Sequence, residues 1–331
     1  MRSAAVLSLP LILCGCGIEN NFAARRGMDV FEQVQQDEVD ILFVVDDSFS
    51  MEVEQAALAA GFSSFIQELE TANSAFQIGV VSTSMDSDDP NRGKLLGSPT
   101  FLTERDDYVP LFRDRVQVGI NGSDKEKGLE AAAVALSPEL LLTHNSGFLR
   151  PQANLLVIII SDEDDCSDAG ALDGRSAADC YLLDEFLTPV STLVDSIHDA
   201  KNNGELVQIG AIIGPFDDSC GEEAYPGRRY AEAVLQTGGL MARICQPDWS
   251  NVLYDLGLNA VGILSQFKLS SGADSSTIEV DVDGVPVLFD TINGWTYDAQ
   301  HWVVSFHGSA IPQRGSIVSI SYEITATGVA P

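Results

Sequence analysis

Apolar and polar positions along this chain fall into two textures. From 39 to 266, short apolar runs that suit buried parallel strands recur at 39–45, 76–83 (FQIGVVST), 154–161 (NLLVIIIS) and 206–213 (LVQIGAII). Between them lie stretches of helical character at 51–70, 107–117, 125–137 and 181–201, then at 228–237 and 249–266. Strands alternating with helices predict an α/β fold: a doubly wound, mostly parallel sheet with helices on both faces. Near 267 the texture changes. TIEVDVDGVPVLFD alternates with period two around Asp283-Gly284, a pair that suits a two-residue hairpin turn. WTYDAQHWVVSF and GSIVSISYEIT continue as strands. A small all-β, sandwich-like C-terminal module is therefore expected over 267–331. Residues 17–38 are polar without a clear period and read as a tether.

Composition sharpens this picture at two points. The chain has 331 residues, 45% of them apolar, enough for a sizeable core. Its net charge is −31, from 49 acidic against 18 basic residues. Such a field repels phosphate backbones and argues against nucleic acid as a partner. It favours cations and basic surfaces, or serves solubility alone.

The N-terminus carries an address. Arg2 precedes AAVLSLPLIL, which is too short to span a bilayer but suits the core of a signal peptide. The run ends at Leu13-Cys14-Gly15-Cys16, which resembles a bacterial lipobox with Cys16 as the modified residue. That resemblance implies a signal peptide over 1–15, a lipidated N-terminus and tether over 16–38, and an exported chain held on the envelope by acyl chains. Gly17 after the Cys fits sorting to the outer membrane, on its periplasmic or surface face. Setting aside Cys14 and Cys16, the chain keeps Cys166, Cys180, Cys220 and Cys245, an even number that agrees with export. Three pairings are open to them. Cys166–Cys180 and Cys220–Cys245 are favoured because each closes a short local loop. Zinc is the rival, without C-x-x-C spacing or a nearby His to support it.

In an open α/β sheet, ligands bind in the crevice at the carboxyl ends of the strands, where strand order reverses. Three segments should meet there. The first strand stops at Asp46-Asp47-Ser48-Phe49-Ser50, NGSDKEKGLEAA places Ser123 on a loop before a helix, and SDEDDCS places Asp162 directly after LLVIII. Asp46, Ser48, Ser50, Ser123 and Asp162 supply two carboxylates and three hydroxyls, hard oxygen donors that suit Mg²⁺ or Mn²⁺ in octahedral coordination. Singly, each has an ordinary reading: a helix cap, turn hydroxyls, a loop carboxylate facing water. Their combination at two strand ends and a loop points to a cation.

D-x-S-x-S after an apolar strand resembles the metal-ion-dependent adhesion site of von Willebrand factor type A (VWA) domains, and the resemblance covers 39–266. It implies Asp46, Ser48 and Ser50 as first-loop ligands, Ser123 in the family's Thr position, and Asp162 as the later Asp, which often acts through water. Gly128 and Leu129 match the G-L that often opens the following helix. FVVDDS, IGVVSTSMD and SDEDDCS are similar to VWA lipoproteins of myxobacteria and relatives. Two departures stand out. Ser123 keeps the hydroxyl but lacks the methyl that restricts a Thr rotamer, and Glu163 stands where Gly is common. The resemblance implies Mg²⁺, with Mn²⁺ or Ca²⁺ as alternatives, and a protein partner that offers an Asp or Glu carboxylate to the metal.

An enzyme is not expected. G-x-S-x-G, P-loop, H-E-x-x-H and Rossmann fingerprints are absent, and His144, His198, His301 and His307 are scattered. Metal-assisted hydrolysis using the acidic run 162–165, and a structural role in an envelope assembly, are the competing readings. Asp86-Ser87-Asp88-Asp89 reads as a solvated loop at the rim of the site. Asp281 to Gly284 reads as a hairpin turn rather than a calcium loop, and Trp295, Tyr297, Trp302 and Phe306 as core aromatics.

Overall fold

A computed structural model describes residues 25–33, 37–201, 207–221, 224–313 and 315–325. The expected signal peptide and the lipobox with Cys16 lie outside the described residues. No helix among the described residues is long and apolar enough to cross a membrane.

The described chain opens on strand β1 (Arg26–Glu32). Then follow β2 (Glu38–Val45), α1 (Glu52–Ala72), β3 (Ala75–Ser82), the two-residue β4 (Leu102–Thr103), α2 (Tyr108–Arg115), α3 (Gly128–Ala135) and α4 (Pro138–Leu141). Next come β5 (Asn154–Ser161), α5 (Asp179–Leu182), α6 (Val190–Asp199), β6 (Val207–Ile213), α7 (Arg228–Thr237), β7 (Met241–Arg243) and α8 (Ser250–Ala260). Six strands form one sheet in the order β4-β3-β2-β5-β6-β7, parallel except for β4 at one edge.

The central strand β2 is apolar from Ile41 to Val45 because both of its faces are covered there. Ile41, Phe43 and Val45 pack with Phe62 and Phe65 of α1, Phe112 of α2 and Leu253 of α8. Leu42 and Val44 pack instead with Leu129 of α3, Ile197 of α6 and Tyr230 of α7. A strand buried on both faces has no polar side to show. Phe62 stacks on Phe112 at a centroid distance of 3.7 Å, and Phe43 meets Phe112 edge-on at 4.8 Å. Each such ring contributes about 1.5–3 kcal/mol through burial.

Two expected helices come out shorter. The stretch 181–201 is divided, because Pro189 disfavours helix at Thr188, and α6 starts only at Val190 with Pro189 as its extended cap. The stretch 249–266 ends at Ala260. Gly262 takes φ +81°, and the Ile263 N–H returns to the Leu258 carbonyl at 2.8 Å to close the helix. Both favoured disulfides are present, Cys166–Cys180 and Cys220–Cys245.

The C-terminal module contains β8 (Gln266–Lys268), β9 (Glu279–Val282), β10 (Val285–Val287), β11 (Trp295–Asp298), β12 (Val303–Phe306) and β13 (Ile317–Glu323). They form two separate antiparallel sheets, β1-β13-β9-β10 and β11-β12-β8, around Phe267, Trp295, Val304, Phe306, Ile320 and Tyr322. Asp283 and Gly284, at φ 54° and 77°, make the hairpin turn between β9 and β10. One expectation needs correction. Residues 26–32, read as part of a tether, are β1, paired with β13 along all seven residues. The reason is an inverted pattern. Met28 and Val30 face outward, while Asp29 faces the module and accepts the Tyr322 hydroxyl at 2.7 Å and the Ser270 N–H at 3.0 Å.

Candidate functional site

Strands β2 and β5 lie side by side, with β3 beyond one and β6 beyond the other. The chain leaves their carboxyl ends in opposite directions and opens a crevice there. Asp46 stands at the end of β2 and is fully buried. Its Oδ1 accepts the Ser48 N–H at 2.8 Å, and its Oδ2 accepts the Ser161 hydroxyl at 2.7 Å. The Ser48 and Ser50 hydroxyls are 3.2 Å apart, and Ser50 opposes the upward push of burial on the Asp162 carboxyl. Four of the five expected residues thus belong to one connected set. Asp162 Oδ1 is buried with no hydrogen-bond partner.

The electrostatics are those of negative charge gathered out of water. Burial pushes the Asp46 carboxyl up to about 7, and the neighbouring Asp162 charge adds to the rise against the hydrogen bonds from Ser161 and Ser48. Asp162 is also raised, first by burial, with Ser50 opposing. Among the described residues no lysine or arginine forms an ion pair with Asp46, Glu126 or Asp162.

Ser123 stands apart from the other four. Its N–H donates to the Ser84 hydroxyl at 2.8 Å, and its own hydroxyl accepts the Lys125 N–H at 3.3 Å. Ser84 donates onward to Asp47 Oδ1 at 2.9 Å, so Ser123 is tied to Asp47 and not to Asp46. The loop passes close there. The Gly122 N–H donates to the Asp47 carbonyl at 2.8 Å, and a Cβ on Gly122 would lie 2.2 Å from the Asp47 carboxyl carbon, so a side chain there would displace the Asp47 carboxylate. Gln55 braces the same region by donating to the Asp46 carbonyl at 2.8 Å and the Gly119 carbonyl at 2.7 Å. Asp86, Asp88 and Asp89 line a recess beside Asp47, Ser84 and Ser123, at the rim.

The run SDEDDCS is divided by the fold. Asp165 Oδ1 accepts the Leu129 N–H at 3.0 Å and Ser167 Oγ accepts the Glu130 N–H at 2.9 Å, so this loop caps α3, which lacks a side-chain cap of its own. Arg229 reaches Asp165 at 3.1 Å, and the Arg229 N–H donates to Asp164 at 2.9 Å. The Asp162 and Glu163 side chains take no part in that cap.

Glu126 is the residue that sequence reasoning missed. It is 2% exposed, its Oε1 has no hydrogen-bond partner, and burial pushes its carboxyl up to about 10, helped by the Asp46 and Glu163 charges. In SDKEKG it is one charged residue among four, and its neighbour Asp124 is exposed. The neighbouring lysines are used elsewhere: Lys127 pairs with Asp168 at 2.5 Å, and Lys125 donates to the Leu172 carbonyl at 3.2 Å.

Could these residues hold a divalent cation? The donors are hard oxygens, and the orphaned Asp162 Oδ1 and the unneutralised carboxylates are what such an ion would satisfy. Among the described residues no group of three or more His, Cys, Asp or Glu side chains is gathered as a metal cluster, so the set is two carboxylates completed by hydroxyls. That composition fits a cation that keeps several waters. The histidines lie elsewhere: His144 bonds the Leu95 carbonyl, His301 Asp298, and His307 Thr296.

No family model matches the chain, and no curated protein matches it. Among solved structures the chain is similar to the pilus adhesin SpaC from Lactobacillus rhamnosus GG in its open conformation, with a TM-score of 0.40 and 15% identity. That match covers 92% of this chain and 42% of the adhesin, so the chain spans less than half the adhesin's length.

Proposed function

We propose that this chain is an exported, lipid-anchored envelope protein whose segment 39–266 is a doubly wound VWA-type domain. On this reading Asp46, Ser48, Ser50 and Asp162 hold a divalent cation, Mg²⁺ first and Mn²⁺ or Ca²⁺ as alternatives, with Cys16 as the anchor. The domain binds a protein partner. The observation that carries the reading is the connected set at the ends of β2 and β5: a fully buried Asp46 without an ion pair, two bridging hydroxyls, and an Asp162 oxygen with no partner. The chain's own residues set the position. Ser161 and the Ser48 N–H orient Asp46, and Gln55 fixes the loop that carries it. When bound, the cation supplies a positive centre that accepts a partner's Asp or Glu carboxylate, reversing the local sign of an acidic surface. Binding is favoured over hydrolysis because Asp164 and Asp165 are committed to Arg229 and to α3, which leaves only Asp162 and Glu163 of the acidic run 162–165.

The test is affinity capture from envelope extracts with the full chain, in Mg²⁺ and again in EDTA, beside Asp46→Asn. A partner retained in Mg²⁺ by the unsubstituted chain alone is expected. Equal retention by both proteins in both buffers would overturn the reading.

A further inference from the structure

We propose that strand β1 is a dimerisation edge, where a second copy of this chain adds its own β1 antiparallel and joins two sheets into one. The proposal is independent of the cation site. Its first support is a contrast among sheet edges. Strand β1 ends its sheet and, among the described residues, pairs with β13 alone. The other edge strands, β4, β7, β8, β10 and β11, are two to four residues long. Of these, β10 carries Pro286 and β8 carries Lys268. Shortness, proline and lysine are common devices that keep an edge from pairing with another chain. Strand β1 has seven residues, no proline and no lysine, and its register with β13 runs unbroken by a bulge.

The second support is what that edge offers. The Ile324 N–H donates to the Arg25 carbonyl at 2.7 Å, and the Gln33 N–H donates to the Ser316 carbonyl at 2.9 Å. Residues 25 and 33 therefore turn their backbone groups toward β13, and so, by the two-residue period, do 27, 29 and 31. Arg26, Met28, Val30 and Glu32 turn theirs to the open side. Their side chains stand on the outer face, where Met28 is 66% and Val30 59% exposed. Open backbone groups and exposed apolar side chains thus fall on the same four residues.

The third support is the self-complementarity of the sequence RGMDVFE, which selects a second copy as the occupant. A two-fold axis through Asp29 pairs all seven residues of one strand with those of the other. Arg26 then lies opposite Glu32 of the other copy at both ends, and Met28 opposite Val30 on either side of the axis. Opposite charges and matched apolar side chains are the pairs that stabilise an antiparallel ladder. The two Asp29 side chains meet at the axis, a like-charged contact that opposes pairing. Each is already engaged inward by the Tyr322 hydroxyl and the Ser270 N–H, which turns its charge away from the outer face.

Sedimentation velocity and hydrogen exchange resolved to single amides, on the purified full chain in detergent over a concentration series, test this. A dimer is expected. The amides of Met28, Val30 and Glu32 should slow at least about tenfold as it forms. Those of Gly27, Asp29 and Phe31, held by β13 in either state, should not change and serve as the reference. Met28→Lys combined with Val30→Lys should weaken association at least about tenfold. Both positions are exposed, so the variant's melting temperature at high dilution should stay within about 2 °C. Arg26→Glu alone, or Glu32→Arg alone, sets like charges across both ends and should weaken association about fivefold. The two together should restore it, which a merely structural role for either residue does not predict. A chain that stays monomeric, or a dimer whose Met28 and Val30 amides exchange as fast as in the monomer, would overturn the proposal. Slow exchange at those amides in a monomer would overturn it too, because the edge would then be covered within one chain.

Discussion

Strand β2 buries an aspartate near each end, and the two have opposite fates. Asp40, near the start, accepts the Arg150 guanidinium at 2.8 Å, the Arg150 N–H at 2.6 Å and the Lys201 ammonium at 3.2 Å. Asp46, six residues on, is equally buried and meets only hydroxyls, an N–H and another carboxylate's charge. Burial raises both, but at Asp40 two cations of the chain pull the other way. One end of the strand is neutralised from within. The other is arranged as though its positive charge comes from outside, and that contrast separates a structural carboxylate from a candidate ligand.

Breaking the internally neutralised end should have the largest effect. Asp40→Ala leaves Lys201 and Arg150 buried or half-buried without their partner, which should cost about 3–5 kcal/mol in denaturant unfolding. Its calorimetric heat with MgCl₂ should be unchanged at a temperature where it is folded. Asp46→Asn should do the reverse and abolish the heat while costing far less stability in EDTA.

The next effect is the response to the ion itself. A cation at 100 times its Kd stabilises the folded chain by about 2.7 kcal/mol. A melting series in MgCl₂ should rise accordingly for the unsubstituted chain and for Asp40→Asn, and stay flat for Asp46→Asn.

pH should sharpen the same contrast. Asp46 has its carboxyl raised from 3.8 to about 7 on folding, so across that window the folded chain holds more protons than the unfolded one. Stability conferred by the raised group is complete below the unfolded value and is lost as pH rises toward the folded one. In EDTA, unfolding free energy should therefore fall between pH 4 and 7, by an amount on the order of 2–4 kcal/mol at about 1.4 kcal/mol per unit. Asp46→Asn should flatten that slope, and so should saturating Mg²⁺. A slope that persists unchanged in Asp46→Asn would count against Asp46 as its source.

Much of this was legible in the sequence because apolar runs have few alternatives to a buried strand. ILFVV and LLVIII became β2 and β5, and Ser161 at the end of β5 donates to Asp46 just after β2. The paired cysteines could be favoured from spacing alone, since short loops close at little entropic cost. Other features had no such signal. The strand Arg26–Glu32 carries Met28 and Val30 on its solvent side, so its period misleads about which face is inward. Glu126 sits in a charged hexapeptide in which nothing distinguishes the buried carboxylate from the exposed one two positions earlier. Ser123 had the right hydroxyl in the right loop, and the fold turned it toward Asp47.

The amino-acid order by itself determined the central strands and most helices, the change from α/β to β texture near 267, and the oxygen-rich residues at two strand ends, because periodicity and residue type are local properties. Which carboxylates lose their water, and which of those then find a cation within the chain, was decided only in three dimensions. Asp40 and Asp46 are read alike as letters. Their difference arises because Arg150 and Lys201, far along the chain, fold back to one end of β2 and not to the other.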